Sequence, residues 1–276
     1  MLPKILVIVG PTASGKTALA TELAKRYNGE IICVDSRTVY RGMDIGTAKS
    51  PGFGTDLVDP DQDYSIAEFK PYTEQKIEEI VARGHVPILV GGTALWVDAI
   101  VDNLDLPAVA PNAKLRLELE TLPLETLQEK LLALDPDAAT VVDIKNKRRI
   151  IRAIEVLISS GRTSQVLRQK GAPKYDVLKI GLDVPREELE HRIDARVDEM
   201  LRNGLLEEVN TLKQQYGEGA PAMSGIGYRD TNHDVIKKET RQLAKRQLTW
   251  FKRDPRTHWV KDLDEAIAII SSARFL

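Results

Sequence analysis

The run Gly10-Pro11-Thr12-Ala13-Ser14-Gly15-Lys16-Thr17 fits the pattern GxxxxGK[ST]. Its residue types suit the binding of an anion of phosphate type. The glycines allow a tight loop whose backbone N–H groups point inward, and a helix that follows adds partial positive charge at its N-terminus. Lys16 supplies a full charge, and the Thr17 hydroxyl is the expected ligand of Mg²⁺. Such a loop does not choose its reaction. It serves nucleotide hydrolysis, phosphoryl transfer by a small-molecule kinase, or an alkyl transfer in which a diphosphate departs.

A second candidate is Asp35, which opens the segment Asp35-Ser36-Arg37-Thr38-Val39-Tyr40-Arg41-Gly42-Met43-Asp44-Ile45-Gly46-Thr47-Ala48-Lys49. In an open parallel sheet, ligand chemistry gathers at the carboxyl ends of the strands. Asp35 follows a predicted strand and falls there. Position alone balances catalysis against the plainer reading of a Mg²⁺ ligand or helix cap.

These residues need a scaffold, and the pattern supplies one. Ile5 to Val9 is a continuous apolar, mostly β-branched run, as in a strand buried on both faces. Thr17 to Tyr27 has helical apolar spacing and closes at Asn28-Gly29. Glu30 to Val34 and Val86 to Val90 read as further strands, with a helix ending near Arg83-Gly84 between them. Strands alternating with helices predict a three-layer α/β core. From about Pro111 to Arg168 the text is helical, with apolar spacing in Leu115 to Leu122, Leu124 to Leu134 and Arg148 to Ser160. Tyr175 to Val184 returns to strand, and Arg186 to Tyr216 and Lys237 to Lys252 read as long helices. The expected fold is a parallel-sheet core of P-loop type, residues 1–110 and 175–276, with a small all-helical insertion at 111–174.

Composition narrows the classes. In 276 residues, a hydrophobic share of 42% permits a sizeable core, and a net charge of −2 rules out a uniformly basic nucleic-acid binder. Any RNA contact must use local patches. The single cysteine, Cys33, allows no internal disulfide, and the four histidines show no metal spacing. Cys33 is expected as a small strand residue facing the core. No run approaches the roughly 20 apolar residues of a membrane span. The apolar start leads into a glycine motif rather than a cleavage site, so a reducing cytoplasm is the expected compartment.

The chain resembles the tRNA dimethylallyltransferase (tRNA isopentenyltransferase) family in five blocks. These are GPTASGKT at Gly10 to Thr17, DSRTVYRGMDIGTAK at Asp35 to Lys49, VGGTALWVDAI at Val90 to Ile100, GIGYRD at Gly225 to Asp230, and TRQLAKRQLTWFKRDP at Thr240 to Pro255. The resemblance implies transfer of a dimethylallyl group from its diphosphate to the N6 amine of the adenine just 3′ of the anticodon. It implies Asp35 as the base, with Lys16 and Thr93 also at the reacting groups. The loop from Gly10 to Thr17 would hold the diphosphate, Thr12 and Lys16 foremost. Positions resembling tRNA contacts are Asp35, Ser36, Arg37, Thr38 and Thr93, then Arg116, Arg148, Arg149 and Arg152 in the insertion. Ser224, Gly225, Gly227, Tyr228 and Arg229 follow, and finally Lys245, Arg246, Gln247, Trp250 and Lys252. The partners implied are the tRNA anticodon stem-loop, dimethylallyl diphosphate and Mg²⁺, with no membrane, and a monomer is expected. The chain departs from the family at Trp96, where an aromatic, often tyrosine, is usual, at Ser224, where some members carry a basic or amide side chain, and in its compact insertion.

The implied chemistry is physically consistent. Ionisation of an allylic carbon leaves negative charge on the departing diphosphate, which preorganised donors and cations stabilise. The adenine amine is a weak nucleophile. A carboxylate can orient its N–H and take the proton as the C–N bond forms. A stacked base cannot reach such a site, so extrusion from the anticodon loop is expected. On a helix through Lys237 to Arg253, Lys238, Arg241, Lys245, Thr249 and Lys252 share one face, and Ala244, Leu248 and Phe251 another. The first face would suit a phosphate backbone, though such runs are commonly plain solvated faces. Lys145, Lys147, Arg148, Arg149 and Arg152 cluster at a helix start, where positive charge opposes the dipole and favours a functional reason. Trp250 and Trp259 read as packing residues. The rivals are an adenylate isopentenyltransferase, a P-loop metabolite kinase and a non-catalytic RNA binder with a decayed loop. The basic helix argues against the first, the Asp35 to Lys49 block against the second, and intact Lys16, Thr17 and Asp35 against the third.

Overall fold

The computed structural model describes residues 2–50, 52–106, 109, 112–163 and 169–276. The chain folds into two compact units, one formed by Met1–Val101 with Lys174–Leu276 and the other by Asp102–Pro173. The expected boundaries near Pro107 and Pro111, and the end of the helical text at Arg168, lie outside the described residues.

The larger unit is a parallel sheet of five strands: β1 (Lys4–Val9), β2 (Gly29–Cys33), β3 (Val86–Gly91), β4 (Asp176–Leu182) and β5 (Thr257–Val260), in the order β2-β3-β1-β4-β5. Alternation along β1 explains the layers. Ile5, Val7 and Val9 point into a core with Ile32, Phe69, Ile77 and Leu89. Leu6 and Ile8 point into a second core with Leu19, Leu23, Ile88 and Ile180. All five are fully buried, as a central strand covered by helices on both faces requires. Helix α1 (Lys16–Tyr27) belongs to the second core, and α2 (Ile66–Ala82) and α3 (Ala94–Val101) to the first.

The structure departs from the sequence pattern in four places. The predicted single helix from Arg186 to Tyr216 is two, α7 (Arg186–Arg202) and α8 (Leu205–Tyr216). Gly204 sits between them at φ 97, a left-handed conformation that interrupts the helix. The other two omissions were α3 and the final β5–α10 pair (α10, Leu263–Ser272). Helix α9 (His233–Phe251) begins four residues before the predicted Lys237, capped by Asn232, whose side chain accepts from the Asp234 and Val235 N–H groups.

The smaller unit contains α4 (Ala113–Glu120), α5 (Leu124–Leu134) and α6 (Lys147–Ser160) around Leu119, Leu127, Leu131, Ile150 and Ile154. Asn112 and Asn146 cap α4 and α6 by accepting from Leu115 and Arg149 N–H groups. Its fully buried carboxylate Glu155 accepts from Arg116, Arg152 and the Asn112 N–H. Burial would raise this carboxyl, but those donors hold it down at about 2. Among the described residues, no helix is long and apolar enough to cross a membrane.

Candidate active site

The carboxyl ends of β1, β2 and β3 converge on one cavity of about 690 Å³. β1 delivers the glycine loop. Gly10 (φ 145), Ala13 (φ 61) and Gly15 (φ 96) have positive φ, which bends the loop around the start of α1. The Ser14 N–H closes the loop onto the Pro11 carbonyl at 3.3 Å. Thr12, Lys16 and Thr17 line the cavity, while Gly10, Pro11, Ala13, Ser14 and Gly15 form the loop behind them. Lys16 Nζ donates to the Pro11 carbonyl at 2.6 Å. Its ammonium is pushed down to about 8, first by burial and then by the positive charge of Arg196, with Asp35 opposing.

Asp35 follows β2. Its Oδ1 accepts the Arg37 N–H at 2.8 Å, which fixes the carboxylate in a turn. Thr38 donates to the Asp35 carbonyl at 3.3 Å. Thr93, just past β3, accepts the Ser36 N–H at 3.2 Å, so the β2 and β3 loops are joined. This closeness depends on glycine: a Cβ on Gly91 would lie 2.0 Å from the Val34 carbonyl oxygen. Cys33, expected in the core, is half-buried and lines the cavity, because the strand ends just where the sheet opens. Burial and the neighbouring Asp35 push its thiol up to about 11, so it is a poor nucleophile here.

Two more side chains complete this geometry. Arg196 on α7, which the sequence reading missed, lines the cavity and donates to the Thr47 carbonyl at 3.1 Å. Burial depresses its guanidinium, and Asp35 counters that. Its signal was present: Arg196 stands beside the buried stripe Ile193, Val197 and Met200, where a cation is out of place. The other is Gln247 on α9, expected only as an RNA contact. Its Oε1 accepts the Thr12 N–H at 2.8 Å, and its Nε2 donates to the Gly92 carbonyl at 3.0 Å. The side chain is 8% exposed, and both ends of its amide serve the protein's own loops.

The remaining expected residues separate. Ser36, Arg37, Thr38, Ser224, Gly225, Tyr228, Arg229, Arg246 and Trp250 line the cavity with the residues above. Arg37 reaches Ser224 Oγ at 3.1 Å, so the small residue at 224 docks an arginine. Tyr228 is 1% exposed, and its packing makes it a structural wall; Gly227 supplies the positive φ of 84 behind it. Trp250, read as a packing residue, is 37% exposed at the cavity rim and donates to Asp98 at 2.6 Å. Trp96 packs on Phe69 with ring centroids 4.5 Å apart. Lys245 and Lys252 do not line this cavity. They border a separate groove of about 970 Å³ between α7 and α9, floored by Leu189, Ile193 and Ala244. There Arg241 pairs with Asp194, and Lys252 with Asp183 at 3.6 Å. The apolar face of α9 stands as expected, with Ala244 and Phe251 buried and Leu248 half-buried. In the smaller unit, Arg116 and Arg152 are occupied by Glu155, while Arg148 and Arg149 are exposed.

The comparisons with known proteins agree on one family. The model described as IPP transferase matches residues 38–254. A tRNA dimethylallyltransferase of Moorella thermoacetica is 39% identical over 302 residues, covering 98% of this chain and 93% of the relative. One of Herpetosiphon aurantiacus is 42% identical over 279 residues, covering 92% and 89%. Among solved structures, the tRNA isopentenylpyrophosphate transferase of Bacillus halodurans superimposes with a TM-score of 0.71 at 36% identity, covering 98% of this chain and 95% of that one. A eukaryotic dimethylallyltransferase acting on tRNA gives a TM-score of 0.81 at 29% identity, covering 99% and 79%. A parallel sheet with the glycine loop at its centre, and relatives that match nearly end to end, place this chain in the IPP transferase family.

Proposed function

We propose that this chain transfers a dimethylallyl group from dimethylallyl diphosphate to the N6 amine of the adenine just 3′ of the anticodon in tRNA, releasing diphosphate. The observation that carries the reading is the meeting of two opposite chemistries in one cavity. Lys16 and Arg196 supply cations, and Asp35 with Thr93 supplies acceptors, and all four line the same cavity.

In the proposed step the C–O bond of the allylic diphosphate breaks and its electrons go to the leaving oxygen. The N–H groups of the Gly10 to Thr17 loop, with Lys16 and Arg196, stabilise that charge. The N6 lone pair forms the new C–N bond, and the amine proton passes to Asp35 and from there to water. Asp35 suits this role because its Oδ1 is already anchored by the Arg37 N–H, which aims the carboxylate. The Thr17 hydroxyl on the cavity wall is a hard oxygen donor that would hold Mg²⁺ against the diphosphate, leaving Asp35 free as the base. When bound, Mg²⁺ neutralises charge on the diphosphate.

Arg37, Arg229 and Arg246, on the same cavity, are proposed to meet the RNA around an extruded adenine. Lys245 and Lys252 on α9, and Arg148 and Arg149 on the helical unit, would add backbone contacts. One chain supplies every proposed reacting group, so the working unit is taken as a monomer, acting where tRNA is processed in the cytoplasm. The test offers labelled dimethylallyl diphosphate to an unmodified tRNA, AMP and ATP together. Label in tRNA alone is expected. Label in AMP or ATP, or phosphate release from ATP with no alkyl transfer, would overturn the reading.

A further inference from the structure

Glu208 on α8 has no part in the proposed chemistry, yet its carboxylate accepts four hydrogen bonds. Oε2 accepts the N–H groups of Asp44 at 3.0 Å and Ile45 at 2.7 Å. Oε1 accepts the Gly46 N–H at 3.1 Å and the Tyr228 hydroxyl at 2.5 Å. Three successive backbone N–H groups thus converge on one anion. Tyr228 packs closely on the loop, since a Cβ on Gly46 would lie 2.5 Å from its ring. Burial and the Glu208 carboxylate push the Tyr228 phenol far above its usual range, so it remains a donor.

The next residue is Thr47, whose carbonyl accepts the Arg196 guanidinium. Arg196 in turn faces Lys16 and Asp35 closely enough to shift the Lys16 ammonium. A route therefore runs from Glu208 through residues 44–46 to the Thr47 carbonyl and on to the cation in the cavity. We infer that Glu208, with Tyr228, is a positioning residue that sets the Thr47 carbonyl and so aims Arg196 at the diphosphate of the substrate. The inference rests on the reading of the cavity as a diphosphate site. Glu208 itself does not line the cavity. Without its charge, three N–H groups lose their acceptor, the loop relaxes, and Arg196 loses the carbonyl that orients it.

The test is a double-mutant cycle on the full chain, with inorganic diphosphate as the probe and calorimetry as the readout. Arg196→Ala is expected to weaken diphosphate binding about tenfold or more, by loss of a charge-assisted contact. Glu208→Ala is expected to weaken it about five- to tenfold, and Tyr228→Phe about two- to threefold, through the same contact. In the Arg196→Ala background, both further substitutions should have no added effect. A role confined to general stability would instead lower affinity by the same factor in both backgrounds, and that result would overturn the inference. So would wild-type affinity in both Glu208→Ala and Tyr228→Phe. If Glu208→Ala does not fold, Tyr228→Phe carries the cycle alone. Wild-type affinity in Arg196→Ala has a different meaning: it would remove Arg196 from the diphosphate site and sink the underlying reading.

Discussion

Glu155 and Asp35 each have two cations for neighbours, and they are handled in opposite ways. In the helical unit, Glu155 is fully buried and takes direct bonds from Arg116 and Arg152 at 2.5 to 2.9 Å. The charges satisfy each other, and the result is a strut between α4 and α6. In the α/β unit, Asp35, Lys16 and Arg196 sense one another electrostatically, but their hydrogen bonds go to backbone. Asp35 takes the Arg37 N–H, Lys16 gives to the Pro11 carbonyl, and Arg196 to the Thr47 carbonyl. The backbone fixes where each group points while leaving its charge uncancelled. Cancelled charge builds structure; charge held in place by dipoles is available to a substrate.

That contrast can be broken by exchanging the roles. The largest effect is expected for Asp35→Ala. Transfer should fall about a thousandfold, in the range of a lost general base, with tRNA affinity nearly unchanged. Steady-state turnover beside a filter-binding titration checks both halves, and normal turnover would remove Asp35 from the mechanism. Glu155→Ala should do the reverse. It should cost about 2 kcal/mol of stability, by stranding cations that lose their partner, with turnover per folded molecule preserved. Denaturant melts give the first quantity and active-site titration the second.

The two sites should also answer differently to pH. The Glu155 carboxyl is depressed from 4.5 to about 2, so its stabilisation is present above the unfolded value and lost as pH falls from 4.5 toward 2. An acid-unfolding curve of Glu155→Gln lacking that slope supports the assignment; a wild-type slope refutes it. Lys16 is depressed to about 8, and a bound diphosphate would raise it again. Binding should therefore take up a proton, and affinity should fall up to about tenfold per pH unit above 8. Calorimetry in buffers of different ionisation heat reads the uptake directly, and flat affinity across pH 7 to 9 (about that span) would contradict it. The smallest effect belongs to the groove. Lys245→Ala with Lys252→Ala should weaken tRNA binding severalfold and lower its salt slope by roughly 1.5. Unchanged binding across salt returns that face of α9 to plain solvation.

What the sequence made legible was local. The glycine loop, Asp35 at a strand end, and the apolar periodicities of β1 and α9 each need only neighbouring residues to be recognised. What it hid was long-range. Gln247 meets Thr12 across 235 positions and Glu208 meets Gly46 across 162, and no spacing rule links such pairs. The break at Gly204 was masked because apolar spacing continues through it. Arg196 was the exception, since a cation beside a buried helical stripe is itself a signal.

The amide of Gln247 has one further consequence. Bonded at one end to the loop after β1 and at the other to the loop after β3, it is a spacer of fixed covalent length. The two loops at its ends are thereby held at a set separation, so the glycine loop cannot shift away from the turn that carries Thr93 without breaking one of these bonds. The spacing of two strand-end loops is thus written into the length of a single side chain, contributed by a helix that takes no part in the sheet.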